Sequence, residues 1–340
     1  MMRIAIDAMG GDHAPQATVE GTVQAVREYN ITAHFFGIEA EIRKYIPEDL
    51  INDPRIKITN ATEVIRVEDG PVQAIKQKKD SSMVLGLKAV KEGECDAFLS
   101  AGSTGAFLAG SLLKVGRIKG IDRPALAPII PTLNGGGCMI IDGGANTDCK
   151  PKNLTQFAVL GSVYMAKVAN AGNPKVGLLN IGAEEAKGNE LVKEAFPLLK
   201  EMQNINFVGN VEARDVVDYA CDVLVTDGFA GNVLLKGVEG TAMSILKALK
   251  KEMTSNLKSK IGALLLKGSL RGFKKKFDYT EVGGAPFLGI DGIMIKAHGS
   301  SDAKAIKNAV RQAKLLHDCD YLNVVKSEIM KFGGETGEQS

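Results

Sequence analysis

Six times along this chain a short apolar run ends in a turn rich in Gly, Asn or Ser and passes into a helix-like segment, and that repetition restricts the fold more than any other feature. The copies are RIAIDAMGGDH (Arg3–His13), AFLSAGSTGAF (Ala97–Phe107), CMIIDGGANTD (Cys138–Asp148), KVGLLNIGAEEAKG (Lys175–Gly188), DVLVTDGFAGN (Asp222–Asn232) and IMIKAHGSSDA (Ile293–Ala303). Apolar strands alternating with amphipathic helices make βαβ units, which predict a largely parallel sheet with helices on both faces. In such sheets ligands settle beyond the carboxyl ends of the strands, where these turns would gather into a crevice suited to an anion.

The periodicity places strands at Ile4–Ile6, His34–Gly37, Ile56–Thr59, Ala97–Ser100, Ala127–Pro131, Met139–Ile141, Val176–Asn180, Asn206–Val208 and Val223–Thr226. Helices are expected at Ala17–Tyr29, Met83–Glu92 and Leu154–Ala169. Asp291-Gly292, between the runs Ala285–Ile290 and Ile293–Ala297, signals a two-residue hairpin and hence antiparallel strands near the C-terminal end of the sheet. No Ser/Pro-rich linker divides the 340 residues, so a single domain is expected over 1–340, with a basic helical excursion at about 250–277.

That excursion, TSNLKSKIGALLLKGSLRGFKKKF (Thr254–Phe277), holds seven Lys or Arg and no acid. Leu257, Ile261, Leu264 and Leu265 fall on one helical stripe, flanked by Lys258, Lys267, Arg271 and Lys274. The pattern fits a membrane-surface helix or a docking surface for an acidic partner, and equally a helical hairpin whose stripe packs against another subunit. The net charge of only +2 makes this basic character local and gives no reason to expect nucleic acid as a partner. Five widely spaced cysteines without a CxxC pair argue against a disulfide framework or a zinc site and fit a reducing cytoplasm. Met1–Gly10 does not have the form of a signal peptide, and no apolar run is long enough to span a bilayer.

Each turn carries candidate chemistry beside a plainer reading. Asp7, Gly10, Gly11 and His13 end the first strand, where paired glycines let a ligand approach the backbone or merely make a tight turn. Ser103 and Thr104 open an apolar helix, as anion ligands or as an N-cap. The run is neither GxGxxG nor a Walker loop, so no nucleotide is specified. Asp142, Asn146 and Asp148 have the residue types of a cation loop but lack its later acid, which favours a turn with Asn146 facing a ligand. Asn180 ends a strand, and Glu184, Glu185 and Lys187 carry charge into a loop and helix start. Asp227, Gly228 and Asn232 form the densest turn, suited to orienting a group and polarising a carbonyl, or to capping a helix. His298 and Ser300 lead into an amphipathic helix carrying Ile306, Ala309, Val310 and Ala313 on one side, where Ser300 or Ser301 is a candidate cap. There is no GxSxG elbow and no activated cysteine, so covalent catalysis is not the reading.

At RIAIDAMGGDHAP (Arg3–Pro15) the chain closely resembles the bacterial phosphate acyltransferases, and the likeness continues through SAGSTGA, IDGGAN, NIGAEEAKGNE, TDGFAGNVLLK and AHGSSDAKAI. The last two motifs are also similar to turns of the phosphotransacetylases and isopropylmalate dehydrogenases. The resemblance implies the three-layer α/β/α sandwich of those families, a homodimer, and transfer of a long-chain acyl group from acyl carrier protein to inorganic phosphate. The acyl phosphate would serve phospholipid (phosphatidic acid) synthesis through a downstream membrane glycerol-3-phosphate acyltransferase. It implies no cofactor and no metal, in a cytoplasmic protein that touches the inner face of the membrane. On this basis Gly10, Gly11, Ser103 and Thr104 are expected to cradle phosphate. Asn232 and His13 are expected to polarise the thioester carbonyl, with Asp227 orienting them. The rival readings are a phosphotransacetylase-like enzyme using acyl-coenzyme A and an isopropylmalate dehydrogenase-like oxidoreductase, for which neither an acidic metal cluster nor an Arg-rich site is found.

Overall fold

The alternation of apolar runs with helices builds two sheets. The computed structural model describes residues 1–276 and 283–337, without the side chains of 271, 273–276 and 332–337. It divides into two compact units: Met1–Pro128, Val159–Gly172 and Thr280–Ser340 form the first, Ile129–Ala158 and Asn173–Tyr279 the second.

In the first unit lie β1 (Met2–Asp7), β2 (Ile31–Gly37), β3 (Ile56–Asn60), β4 (Ala97–Ser100), β5 (Ala125–Leu126), β11 (Gly284–Leu288) and β12 (Ile293–Ala297), in the order β3-β2-β1-β4-β12-β11-β5. Only β11 runs antiparallel to its neighbours. Every residue of β4 and β12 is buried, the continuous apolar reading expected of strands covered on both faces. Helices Gln16–Glu28 and Ala303–Asp318 pack on each other, while Ser82–Lys91 lies on β1, β2 and β4. Phe107 fixes the helix Thr104–Gly110 by meeting Phe98 of β4 and Phe287 of β11 edge-on, each at 5.2 Å between ring centroids.

In the second unit β6 (Ile129–Pro131), β7 (Gly137–Ile141), β8 (Lys175–Asn180), β9 (Asn206–Glu212) and β10 (Val223–Val225) follow the order β6-β7-β10-β8-β9, all parallel except β6. Its core gathers Ile130, Cys138, Ile140, Val211, Val216, Cys221 and Leu224. Cys138 and Cys221 are both free, 3.8 Å apart at sulfur. A 26-residue helix, Gly228–Met253, follows β10, and two further helices, Leu257–Leu265 and Lys267–Lys276, break at Leu266.

Two local readings need correction. The run Ala127–Pro131 narrows to β6 (Ile129–Pro131), which pairs with β7, while the unexpected β5 (Ala125–Leu126) just before it pairs with β11 in the other sheet. The hairpin at Asp291-Gly292 is antiparallel as expected, but Pro286 pairs with Ile295, so 289–292 form a four-residue connection. Ile290 is drawn out of the ladder by a bridge to Arg117, and Gly289 turns at φ +92°; a local dipeptide signal cannot register that competing tertiary pairing.

Candidate functional site

Strand order decides which turns meet. β1, β4 and β12 are consecutive in the first sheet, so the first, second and sixth turns stand side by side at their carboxyl ends. β7, β10 and β8 are consecutive in the second sheet, which brings together the third, fifth and fourth turns. The six turns thus form two triplets, one in each unit.

The first triplet is built on Asp7. Its carboxylate is buried and accepts hydrogen bonds from the hydroxyls of Ser82 and Ser100, both at 2.6 Å, and from Met9 N–H at 3.3 Å. Burial raises its pKa from the usual carboxylate range, against the pull of the two serine bonds. Ser100 also accepts from Gly102 N–H at 3.0 Å, so one carboxylate ties the end of β1 to the turn after β4. The turns pack without room for side chains: a Cβ on Gly10 would lie 2.7 Å from Gly102 N, and Gly11 takes φ +105° with Gly299 O 3.1 Å from the same position. Asp12 N–H then donates to Gly299 O at 2.8 Å, closing the first turn onto the sixth.

Around this frame the sequence candidates behave differently. Ser103 is buried and accepts from Ala106 N–H as the helix N-cap, whereas the Thr104 hydroxyl and the His13 imidazole are exposed and meet no hydrogen-bond partner among the described residues. His298 Nδ1 accepts Ser300 N–H at 3.2 Å and lies 2.8 Å from Ser300 Oγ, which places the proton of the neutral ring on Nε2. Neither Ser300 nor Ser301 caps the helix Ala303–Asp318; Asp302 does, through Ala305 N–H at 2.8 Å, because its carboxylate is the stronger acceptor at that position. Ser82, Ser100 and Lys296 were not among the candidates. Lys296 is the one charged residue in the buried strand β12, only 8% exposed, and a lysine inside an apolar run was the signal for it.

The second triplet has a parallel girder in Asp142. Fully buried, it accepts from Gly144 and Ala145 N–H at 3.0 and 2.9 Å on one oxygen, and from Asn146 N–H and its amide at 2.7 and 2.8 Å on the other. The Asn146 side-chain amide therefore faces inward to Asp142, and the Asn146 backbone carbonyl accepts from Gly228 N–H at 2.7 Å. Asp227 Oδ1 accepts Phe229 and Ala230 N–H, both at 2.9 Å, and so caps Gly228–Met253. Asn232, one turn into that helix, lies over the third turn: a Cβ on Gly144 would fall 2.3 Å from Asn232 Nδ2. No hydrogen-bond partner among the described residues takes up this half-buried carboxamide.

The fourth turn is held from beneath. Asn180 donates from its amide to Lys187 O at 3.0 Å and accepts Ile181 N–H at 2.8 Å, and Asn210 donates to Glu184 O at 3.0 Å. Glu184 and Lys187 are exposed, while Glu185 is paired with Lys200 at 2.7 Å. None of these charges begins the helix, which starts at Glu190 with Asn189 as its cap. Beyond the turns, Leu257, Ile261, Leu264 and Leu265 are all exposed, at 54–81%; Arg271 and Lys274 lie outside the described side chains. Burial pushes the Cys95 thiol up to about 11 and raises Cys319 as well, the opposite of an activated nucleophile. Among the described residues no helix is long and apolar enough to cross a membrane.

The sequence profile of the family described as Fatty acid synthesis protein matches residues 2–323. A phosphate acyltransferase of Thermoanaerobacterium thermosaccharolyticum is 52% identical across 98% of both chains, and one of Alkaliphilus oremlandii is 54% identical across 99% of this chain and all of the relative. Among solved structures, a phosphotransacetylase from Streptococcus pyogenes superposes with a TM-score of 0.62 at 16% identity, covering 93% of this chain and 94% of its own. At that identity the likeness concerns the fold, which is thus of the phosphotransacetylase kind.

Proposed function

Because this chain belongs to the fatty acid synthesis protein family of phosphate acyltransferases, we propose that it moves a long-chain acyl group from acyl carrier protein to inorganic phosphate, releasing acyl phosphate for phosphatidic acid synthesis. Phosphate at neutral pH is already an anionic nucleophile, so the protein has to hold it and stabilise the oxyanion that develops, with little need for a strong base. An oxygen of phosphate attacks the thioester carbon, the carbon–sulfur bond breaks, and the proton of hydrogenphosphate ends on the departing thiol. In this reading Gly10, Gly11, Ser103 and Thr104 hold phosphate in the first unit, and the Asn232 carboxamide of the second is the donor to the carbonyl oxygen. The observation that carries it is a contrast within the second triplet: Asp142 and Asp227 spend their carboxylates on backbone N–H and Asn146 donates its amide to Asp142, while the Asn232 carboxamide makes no hydrogen bond among the described residues. The raised thiol pKa values support direct transfer without an acyl-enzyme.

Thiol release from acyl-carrier-protein thioester, followed with and without phosphate, tests the reading. Release should need phosphate and yield one acyl phosphate per thiol. Equal release without phosphate, or an acylated protein trapped in its absence, defeats it. The fold likeness to phosphotransacetylases supports a second donor, acyl-coenzyme A; a lower KM for that thioester than for the carrier protein would favour it.

The chain is further proposed to work as a homodimer, with Lys258 and Lys267 attracting the acidic carrier and the exposed stripe Leu257, Ile261, Leu264 and Leu265 resting on anionic membrane, where a membrane acyltransferase using glycerol 3-phosphate consumes the product. Leu264 is 69% exposed in the chain, so Leu264→Glu should fold. It is expected to lose most flotation with anionic vesicles. Unchanged flotation excludes the stripe as the membrane contact, and a fall in oligomeric state assigns it to the subunit interface instead.

A further inference from the structure

Lys296 is a buried cation that the reaction as described leaves without a task. It lies on β12 opposite Ser100 of β4, one residue before the strand passes into the sixth turn at His298. Its ammonium donates to the neighbouring carbonyl of Ala297, and no other hydrogen bond from it is found among the described residues. An ammonium has three donors, so two remain. Keeping such a charge from water is costly unless something of opposite sign answers it.

The charged groups that face Lys296 are Asp7 and Asp12, both acting through space and neither bonded to it. Asp7 spends its oxygens on Ser82 and Ser100. From the other elements packed on β12 the surroundings are uncharged: the helix Ala303–Asp318 buries Ala305, Ala309, Val310 and Ala313, and β11 sets Ala285 beside it. Burial accordingly lowers the lysine to about 8, against the pull of Asp7 and then Asp12, so the group is mostly charged at neutral pH. A second buried polar atom without a partner, Ser301 Oγ, sits in the turn that follows. A cation and a hydroxyl with spare hydrogen-bonding capacity, beneath turns already closed by Asp12 and Gly299, are what a small anion requires.

We propose that Lys296 is a phosphate-binding residue, its fixed positive charge under the first triplet anchoring the nucleophilic phosphate. The proposal rests on the reading of the protein as a phosphate-dependent acyltransferase and adds the cation that reading lacks in the first unit. The phosphoryl groups of a carrier arm or of coenzyme A share this chemistry, so the kinetic arms must separate nucleophile from donor.

The experiment is steady-state thiol release for wild type, Lys296→Met and Lys296→Arg, varying phosphate and acyl-carrier-protein thioester separately, with melting temperature as the control for folding. Lys296→Met should raise the KM for phosphate by about 10-fold or more, leave the KM for thioester within about twofold, and fold as well as wild type, since an apolar chain replaces a buried charge. Lys296→Arg should recover part of the phosphate affinity. In wild type the KM for phosphate should climb between pH 7.5 and 9.5, by up to about 10-fold for each unit above 8, where phosphate itself is already the dianion. The Met variant should lose that rise. An unchanged phosphate KM in the Met variant, an equal rise in both KM values, or a flat wild-type profile overturns the proposal; the last decides even if no variant folds. If wild-type release does not depend on phosphate, the underlying reaction is wrong; if it does and Lys296 is indifferent, only this assignment fails.

Discussion

Asn232→Ala is expected to lower kcat by about 10²–10³-fold with little change in either KM, the loss measured when one donor to a developing oxyanion is removed. The expectation follows from how little holds this side chain. Its carboxamide lies against Gly144, makes no hydrogen bond among the described residues, and is not the cap of its helix, a task taken by Asp227. Truncation therefore removes a polar group without orphaning another, and the melting temperature should move by only a degree or two. Asn232→Asp should be as inactive, since a carboxylate repels the charge it would have to stabilise. A kcat within threefold of wild type for the Ala variant would show that the carbonyl is polarised elsewhere.

Asp142→Ala is expected to act in the opposite manner, through stability. The carboxylate is the acceptor for three backbone N–H groups and for the amide of Asn146, all at 2.7–3.0 Å and all in the turn on which the helix Gly228–Met253 is seated. Gly231 approaches so closely that a Cβ there would meet Asp142 O, so the helix start cannot settle elsewhere. Leaving several buried donors unanswered should cost about 3–5 kcal/mol, read as a fall in the urea midpoint at unchanged slope. Activity should fall with it, because Asn232 rides on the same seat. A variant with the wild-type midpoint would mean that the turn holds its shape by backbone packing alone.

Much of this was legible locally. The alternation of apolar runs with helical stripes identified nearly every strand, and the six polar turns were read at strand ends, where they lie. Less legible are positions with two local solutions. Asp7 and Asn146 carry side chains suited to a ligand, yet both are turned inward as fasteners, to Ser82 and Ser100 in one case and Asp142 in the other. Ser300 and Asp302 compete for one cap, and the nearer carboxylate wins. Lys296 is hard to single out locally because one charge barely lowers the apolar character of the run IMIKA.

By itself the sequence determined the period of each element, the chemistry of each strand-end turn and, through RIAIDAMGGDHAP and the motifs after it, the phosphate acyltransferase family. These are local quantities, set by neighbours a few residues apart. Tertiary structure alone decided that the turns form two triplets, that Asp7 and Asp142 are their girders, and which donors remain for a ligand. Such facts depend on which strands become neighbours across separations of nearly a hundred residues or more, as Asp7 and Ser100 do, and hydrogen-bond capacity is apportioned only once those neighbours have met.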